Sequence, residues 1–306
     1  MSATLDEEKV KNWFQSQTRE IAPPATSDAL ASILARRALS SSAERPVRQR
    51  ALAAKPIPIP PAELVDWVGG GDVHMFQTVG LLNTWQLHVY CGLRPTDRVL
   101  EPGCGCGRNA RYLAPYLEPS RGGYDGFDIH RDSIDWATEH VTSAYPNVRF
   151  AFADIRNTNY NPDGPVPDGG YEFPYASASF DVVFLPSVFT HLTRDGFEQY
   201  AREIARVLAP GGRLLSWHFL LDPITRELAT TGKSALPLQV YDDVSWAMEP
   251  ENPCAAIAFD EAYVLETFEL VGLHAQLVLH GTWSGRVPDG LVDAQDRVLA
   301  VKAQST

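Results

Sequence analysis

The stretch Val99-Leu100-Glu101-Pro102-Gly103-Cys104-Gly105-Cys106-Gly107-Arg108-Asn109 decides the fold of this chain. A short apolar run ends in an acidic residue, a glycine-rich turn follows, and a helix begins. Glycine lets the backbone adopt positive φ and approach a ligand closely, and the first turn of a helix offers unpaired N–H groups. The stretch is therefore typical of a strand–turn–helix unit that holds a small ligand at its turn.

Short apolar runs alternate with helical stretches after this turn, and the pattern extends to the end of the chain. The predicted strands are 98–100, 124–129, 148–153, 180–185, 212–219, 274–280 and 297–301. The predicted helices are 62–67 and 80–93 before the turn, and 109–117, 133–144, 196–208 and 260–271 after it. Apolar strands that alternate with helices predict an α/β fold, in which a doubly wound, mostly parallel sheet carries helices on both faces.

A proline-rich segment separates the N-terminal part of the chain from this pattern. Lys55-Pro56-Ile57-Pro58-Ile59-Pro60-Pro61 holds four prolines in six residues, which impose an extended strap and end any preceding helix. We therefore predict a helical N-terminal arm with its strap over residues 1–61 and the α/β domain over residues 62–306. The arm is also the candidate contact for a homodimer.

Composition excludes several classes of function. The formal charge of −12 argues against a nucleic-acid partner, because neutralising phosphates needs clustered Lys and Arg. No apolar run approaches the roughly 20 residues that span a bilayer, and the polar, acidic N-terminus lacks a secretory signal, so we expect a cytoplasmic protein without a membrane partner. Cys104 and Cys106 lie in the glycine turn without a second ligand pair at zinc spacing, so no metal site is expected there.

The glycine turn also fits a second type of ligand. Gly105-Cys106-Gly107-Arg108-Asn109-Ala110 satisfies the dinucleotide pattern G-x-G-x-x-G/A, and Asp125 or Asp128 follows about 20 residues later to bind a ribose. An NAD-dependent oxidoreductase is therefore the alternative.

Acidic residues at the ends of the first three strands favour a different ligand. Glu101 precedes Gly103 by two residues, where it repels a pyrophosphate but not a cationic amino acid. Asp128 ends the second strand and suits a ribose diol, and Asp154 ends the third and suits an adenine amino group. A ligand with ammonium, ribose and adenine groups would use all three.

Five segments together resemble the class I S-adenosylmethionine-dependent methyltransferases, and the resemblance runs from about residue 67 to 302. They are VLEPGCGCGR, in which Pro102 departs from the family pattern, Asp128, Asp154, the segment 180–192 and the segment 203–214. The resemblance implies S-adenosylmethionine as cofactor, seven strands with the last one antiparallel, and a set of cofactor-binding residues. That set is Glu101, Gly103, Cys104, Gly105, Gly107, Asp128, Ile129, Asp154, Ile155 and Pro186.

Two histidines are candidates for a general base. His191 follows the fourth strand and His218 ends the fifth, at the edge of the sheet where ligands bind in open α/β folds. A histidine takes up a proton near neutral pH, so either side chain suits deprotonation of a hydroxyl during methyl transfer. Asp222 is a candidate for orienting a substrate or binding a divalent ion, and Trp283 and Arg286 are candidates for the substrate wall.

The predicted reaction is transfer of a methyl group to a small-molecule acceptor. By analogy with the family, we expect a hydroxyl of a sugar, glycoside or natural product, which makes the chain an O-methyltransferase of natural product biosynthesis. An N-methyltransferase acting on a small amine is the other option.

Overall fold

The computed structural model describes residues 54–69, 71–289 and 294–304. Its helices are α1 (Ala62–Trp67), α2 (Val73–Tyr90), α3 (Ala110–Leu113), α4 (Arg131–Ala137), α5 (Arg194–Val207), α6 (Pro223–Thr230) and α7 (Glu261–Leu270). The seven strands of the large sheet are β1 (Arg98–Pro102), β2 (Gly123–Asp128), β3 (Val148–Phe152), β6 (Phe180–Leu185), β7 (Leu208–His218), β12 (Leu273–Leu279) and β13 (Asp296–Lys302). The shorter strands are β4 (Ile155–Arg156), β5 (Val166–Pro167), β8 (Leu220–Leu221), β9 (Gln239–Val240), β10 (Ser245–Ala247) and β11 (Ile257–Asp260).

The large sheet has the order β12–β13–β7–β6–β1–β2–β3. Five neighbouring strands of this sheet, β3, β2, β1, β6 and β7, run parallel. Strand β13 is antiparallel to both of its neighbours, β7 and β12. This topology confirms the doubly wound, seven-stranded sheet with an antiparallel last strand. The order reverses between β1 and β6, because β2 and β3 extend to one side of β1 while β6 and β7 extend to the other.

Side-chain caps fix where the helices around the site begin. Asp72 accepts a hydrogen bond from Met75 N at 2.7 Å at the start of α2. Thr193 does the same for Gly196 N at 3.3 Å at the start of α5. Each cap pairs an otherwise unsatisfied amide of the first helical turn, which stabilises the helix start by about 1 kcal/mol.

The core lies on both faces of the sheet and is continuous with α2. Phe127, Phe197 and Phe268 are buried on one face, and Leu87 of α2 is buried against the other. Arg297 of β13 is also buried; its Nε donates to Gln86 Oε1 of α2 at 2.8 Å. This bond connects the last strand to a helix near the start of the domain.

Three details differ from the sequence-based expectation. Strand β7 begins at Leu208 rather than 212, because Leu208 already pairs with Phe180; the register then shifts across the segment with Pro210 and Gly211, and pairing resumes between Val182 and Arg213. The segment 220–259, for which no strand or helix is predicted, supplies most of a small sheet of order β8–β11–β10–β9. The compact unit starts at Ile57, inside the proline strap.

The N-terminal arm and its dimer contact lie outside the described residues up to position 53. None of the helices in the described ranges has the length and apolarity that crossing a bilayer requires.

Candidate active site

A cavity of about 750 Å³ lies at the carboxyl ends of the parallel strands. The strand order reverses between β1 and β6, and such a switch point leaves a crevice between the two chain exits. The turn after β1, the end of β2, the Pro186–Ser187 segment after β6 and the helices α1 and α2 all contribute to its wall.

The glycine turn has the backbone geometry that the sequence predicts. Gly103, Gly105 and Gly107 have φ of 72°, 52° and 80°, in the left-handed region that favours glycine. A Cβ at Gly103 would overlap Val188 Cγ2, and one at Gly105 would overlap Val68 Cγ1. The turn is therefore in close contact with two other parts of the wall, and side chains are excluded from it.

Glu101 is a buried carboxylate beneath the turn, with 1% of its surface exposed. Its Oε1 accepts from Asn109 Nδ2 and its Oε2 from Tyr124 Oη, both at 2.6 Å. Burial raises the pKa of Glu101 to about 8, although both hydrogen bonds oppose the shift. A bound cation favours the ionised form, so the site suits a positively charged group near Glu101.

Asp128 is oriented by two backbone amides at the end of β2. Its Oδ2 accepts from Gly105 N at 2.7 Å and its Oδ1 from His130 N at 2.9 Å. Burial raises the pKa of Asp128, and the two amides lower it. Each oxygen can still accept a second hydrogen bond, so the carboxylate can accept hydrogen bonds from both hydroxyl groups of a ribose.

Most of the predicted cofactor-binding residues meet in this wall. Those present are Glu101, Gly103, Cys104, Gly105, Asp128, Ile129, Ile155 and Pro186. Gly107 and Asp154 are not among the lining residues. The carboxylate of Asp154 is exposed and its Oδ1 accepts from Asn161 Nδ2 at 3.0 Å, whereas the neighbouring Ile155 lines the cavity; the contact of Asp154 with adenine stays a prediction.

His191 lies in the cavity wall, in a short helical turn after β6. Its Nδ1 is 3.0 Å from the carbonyl oxygen of Cys254. Because a carbonyl only accepts, Nδ1 carries the proton and Nε2 carries the lone pair of the neutral ring. Burial lowers the pKa of His191 below 6.5, more than the backbone carbonyls around it raise it. The ring is therefore neutral at pH 7 and can accept a proton.

His218 is not at the site, and the prediction that it serves as an alternative base is wrong on structural grounds. It is 2% exposed and stacks on Phe189, with ring centroids 5.0 Å apart. Its Nε2 is 2.7 Å from Ser216 Oγ, and burial lowers its pKa to about 3. A side chain enclosed in this way supports the packing of the sheet.

The other substrate candidates, Asp222, Trp283 and Arg286, are not among the residues that line the cavity. Asp222 caps α6 and pairs with Arg286 at 2.9 Å. Trp283 is buried and donates from Nε1 to Asp296 at 2.7 Å. Asp222 also comes close to Glu261 and His280, but both nitrogens of His280 contact carboxylates and its pKa is raised to about 9. His280 is therefore protonated at neutral pH, and Asp222 is paired with Arg286, so neither side chain is available to bind a metal ion.

Two aromatic side chains of the wall escaped the sequence analysis. Trp67, at the end of α1, is 37% exposed and stacks on His130 with ring centroids 3.9 Å apart. Tyr160 lies between β4 and β5, and its ring contacts Trp67 and His191 edge on, with centroids 5.8 Å and 5.2 Å apart. The sequence does not reveal this part of the wall, because Trp67 and Tyr160 are far apart in the chain and come together only in the folded protein.

Similarity to known proteins agrees with this geometry. The family described as "Methyltransferase domain" matches residues 99–212, which hold the glycine turn, Asp128 and His191. The chain is 27% identical over 219 residues to Methyltransferase GfsG of Streptomyces halstedii, across 63% of this chain and 72% of that protein.

Residues 99–212 of this chain are a methyltransferase domain.

A second relative of this methyltransferase is 27-O-demethylrifamycin SV methyltransferase of Amycolatopsis mediterranei, which is 33% identical over 133 residues. The match spans 43% of this chain and 42% of the relative, less than half of each. Among solved structures, the [4+2]-cyclase SpnF superimposes with a TM-score of 0.52 at 15% identity, over 81% of this chain and 99% of that one. This likeness concerns the fold alone.

The residues of the cavity fit S-adenosylmethionine as cofactor. Two oriented carboxylates, Glu101 and Asp128, belong to the wall beside the glycine turn, where a cationic amino acid and a ribose need acceptors. A dinucleotide would place its pyrophosphate against Glu101, so the NAD alternative has no support in this geometry.

Proposed function

We propose that this methyltransferase acts on a hydroxyl group of a small natural product, with His191 as the general base. The observation that carries the proposal is the tautomer of His191: Nδ1 donates to Cys254 O, which leaves Nε2 free of its proton in a side chain of the cavity wall. A hydroxyl loses its proton as it is methylated, and a positioned neutral imidazole can take that proton.

The chain's own residues would hold the reactants in line and exclude water. S-adenosylmethionine, when bound, would supply an electrophilic methyl group, whose bond to sulfur breaks as its bond to the acceptor oxygen forms, with the thioether as the leaving group. Asp128 would accept from the ribose, Glu101 would face the positive charge, and His191 would take the acceptor proton at Nε2. Alignment of this kind is the main source of rate in a displacement that needs no covalent intermediate.

The wall also indicates the type of acceptor. Trp67, Tyr160 and Trp217 contribute aromatic faces, which suit the carbon skeleton of a natural product. The Amycolatopsis relative is named as a methyltransferase of 27-O-demethylrifamycin SV, a compound that lacks a methyl group on oxygen. Both observations support an apolar, hydroxyl-bearing acceptor.

A panel of acceptors tests the proposal directly. Purified protein is incubated with S-adenosylmethionine and each of a set of macrolides, ansamycins, glycosides and small amines, and formation of S-adenosylhomocysteine is measured. We expect turnover with hydroxyl-bearing compounds and a product whose new methyl group is on oxygen. Turnover with the amines alone would replace the proposal by N-methylation.

Removal of the Asp128 carboxylate should weaken cofactor binding. We expect Asp128→Ala to lose about 1–3 kcal/mol of binding free energy for S-adenosylhomocysteine, the scale of a hydrogen bond to a charged group. Asp125→Ala is the matched control, since Asp125 lies on the same strand but pairs with Arg149 at 3.0 Å outside the cavity. Calorimetric titration measures both, and equal affinities in the two variants would place the ribose elsewhere.

A further inference from the structure

Asn83 of α2 carries a buried acceptor that the described part of the chain leaves unsatisfied. The residue lines the cavity and is 2% exposed. Its Nδ2 donates to Asn109 Oδ1 at 3.2 Å, and its Oδ1 has no hydrogen-bond partner among the described residues. Buried polar atoms without a partner are uncommon and costly, so each one needs an explanation.

The orientation of this amide follows from its neighbours. Asn109 Nδ2 donates to Glu101 Oε1 at 2.6 Å. This orientation is required when Glu101 is ionised, the form that a bound cation favours, because a carboxylate only accepts. The Oδ1 of Asn109 is then available to accept, and it receives Nδ2 of Asn83. A flip of the Asn83 amide would bring two oxygens together, so its Oδ1 remains as the free end of the chain of hydrogen bonds.

The position of Asn83 is fixed by a close approach of α2 to the glycine turn. A Cβ at Gly80 would lie 2.6 Å from the carbonyl oxygen of Arg108, so only glycine allows this distance. One helical turn below, Tyr112 Oη donates to the carbonyl of Gln77 at 3.0 Å. These contacts on α2 hold the Asn83 side chain beside Asn109.

We propose that Asn83 Oδ1 accepts a hydrogen bond from the ammonium group of the cofactor's amino-acid moiety. The missing partner must be a donor, and the hydrogen-bond chain leads directly to the buried carboxylate of Glu101, which favours a positively charged one. The ammonium group of S-adenosylmethionine has both properties. The inference deepens the proposed function and rests on binding of this cofactor in the cavity.

Recognition by Asn83 assigns α2 a role in choosing the ligand. The glycine turn and Asp128 serve the adenosine half of the ligand, whereas Asn83 serves the amino-acid half. Ligands that share the adenosine thioether and differ in the amino-acid group therefore separate the two contributions. S-adenosylhomocysteine and 5′-methylthioadenosine are such a pair.

Calorimetric titration of both ligands into wild type and variants tests the inference. For Asn83→Ala we expect the Kd of S-adenosylhomocysteine to rise about 10-fold or more, as for loss of a hydrogen bond to a charged group, and the Kd of 5′-methylthioadenosine to stay within about twofold. Asn83→Leu keeps approximately the side-chain volume and should give the same difference between the two ligands. It therefore replaces Asn83→Ala in the test if the alanine variant folds poorly. Thr84→Val is the control, because Thr84 is the buried neighbour on α2 and its hydroxyl donates to Gly80 O of the same helix, at 2.8 Å.

Other outcomes would overturn the inference in recognisable ways. An equal loss for both ligands would mean that Asn83 only supports the glycine turn. Unchanged affinity for both would mean that its Oδ1 takes a water molecule. Failure of the wild-type protein to bind S-adenosylhomocysteine would instead overturn the cofactor assignment on which the proposed function rests.

Discussion

We expect His191→Ala to lower kcat by about 10²–10⁴-fold, the usual contribution of a general base, with little change in the affinity for S-adenosylhomocysteine. The lone pair on Nε2 is the only part of the side chain that the proposed chemistry uses, and Nδ1 is held by the carbonyl of Cys254. His191→Gln retains hydrogen bonding but cannot take up a proton at neutral pH, so it should be nearly as slow. The measurement is steady-state turnover with an acceptor found in the panel.

The pH dependence supplies an independent check on the role of His191. Burial lowers its pKa below 6.5, and the neutral form is the active base. The rate should therefore rise with pH through a midpoint below 6.5 and be level from about neutral pH, and the rise should vanish in both variants.

His274→Ala is the control for a general effect of losing a histidine, because His274 is exposed and pairs with Glu269 at 2.8 Å. Wild-type kcat in His191→Ala and His191→Gln would show that the acceptor needs no base. A loss of cofactor affinity with unchanged kcat would show that His191 shapes the cofactor pocket.

The second large effect is expected at the glycine turn. Gly103→Ala places a Cβ on a residue with φ of 72° and against Val188 Cγ2. Left-handed backbone costs a residue with a Cβ about 1–2 kcal/mol, and overpacking typically costs a further 1–3 kcal/mol. The turn must shift to relieve both, which misplaces the backbone beside the cofactor. We expect the Kd of S-adenosylhomocysteine to rise about 30-fold or more, as measured by calorimetry.

Gly92→Ala separates backbone strain from the overlap with Val188. Gly92 has φ of 60°, and a Cβ there would meet nothing within 4 Å. The control should lose some thermal stability and keep its cofactor affinity. Equal affinity losses in the two variants would indicate a general destabilisation, and an unchanged affinity in Gly103→Ala would show that the turn adapts at no cost.

The fold was predictable because its signals are local. Strand β6 is a short, mostly apolar run that is buried at five of its six positions, and the strand predicted over 180–185 is found as Phe180–Leu185. The start of β7 was missed since Pro210 and Gly211 have the composition of a turn, although their segment continues the strand.

The site was predictable only where it depends on sequence neighbours. Glu101, Gly103 and Asp128 follow directly from strand ends and turn chemistry. Whether a strand-end residue faces the cavity or the core depends on the alternation of side chains between the two faces of the sheet, and this is why the prediction for His218 was wrong. Asn83 carries only a weak signal, a polar residue within an apolar helix.

The place of β13 in the sheet has a consequence for how the protein forms during translation. It inserts between β7 and β12, and its Arg297 bonds to Gln86, 211 residues earlier in the chain. A nascent chain still attached to the ribosome before residue 302 has emerged therefore exposes an unpaired edge of β7 and lacks the bond between Arg297 and Gln86. Such edges promote association with other chains. The edge of β7 is thus protected only after β13 has been made.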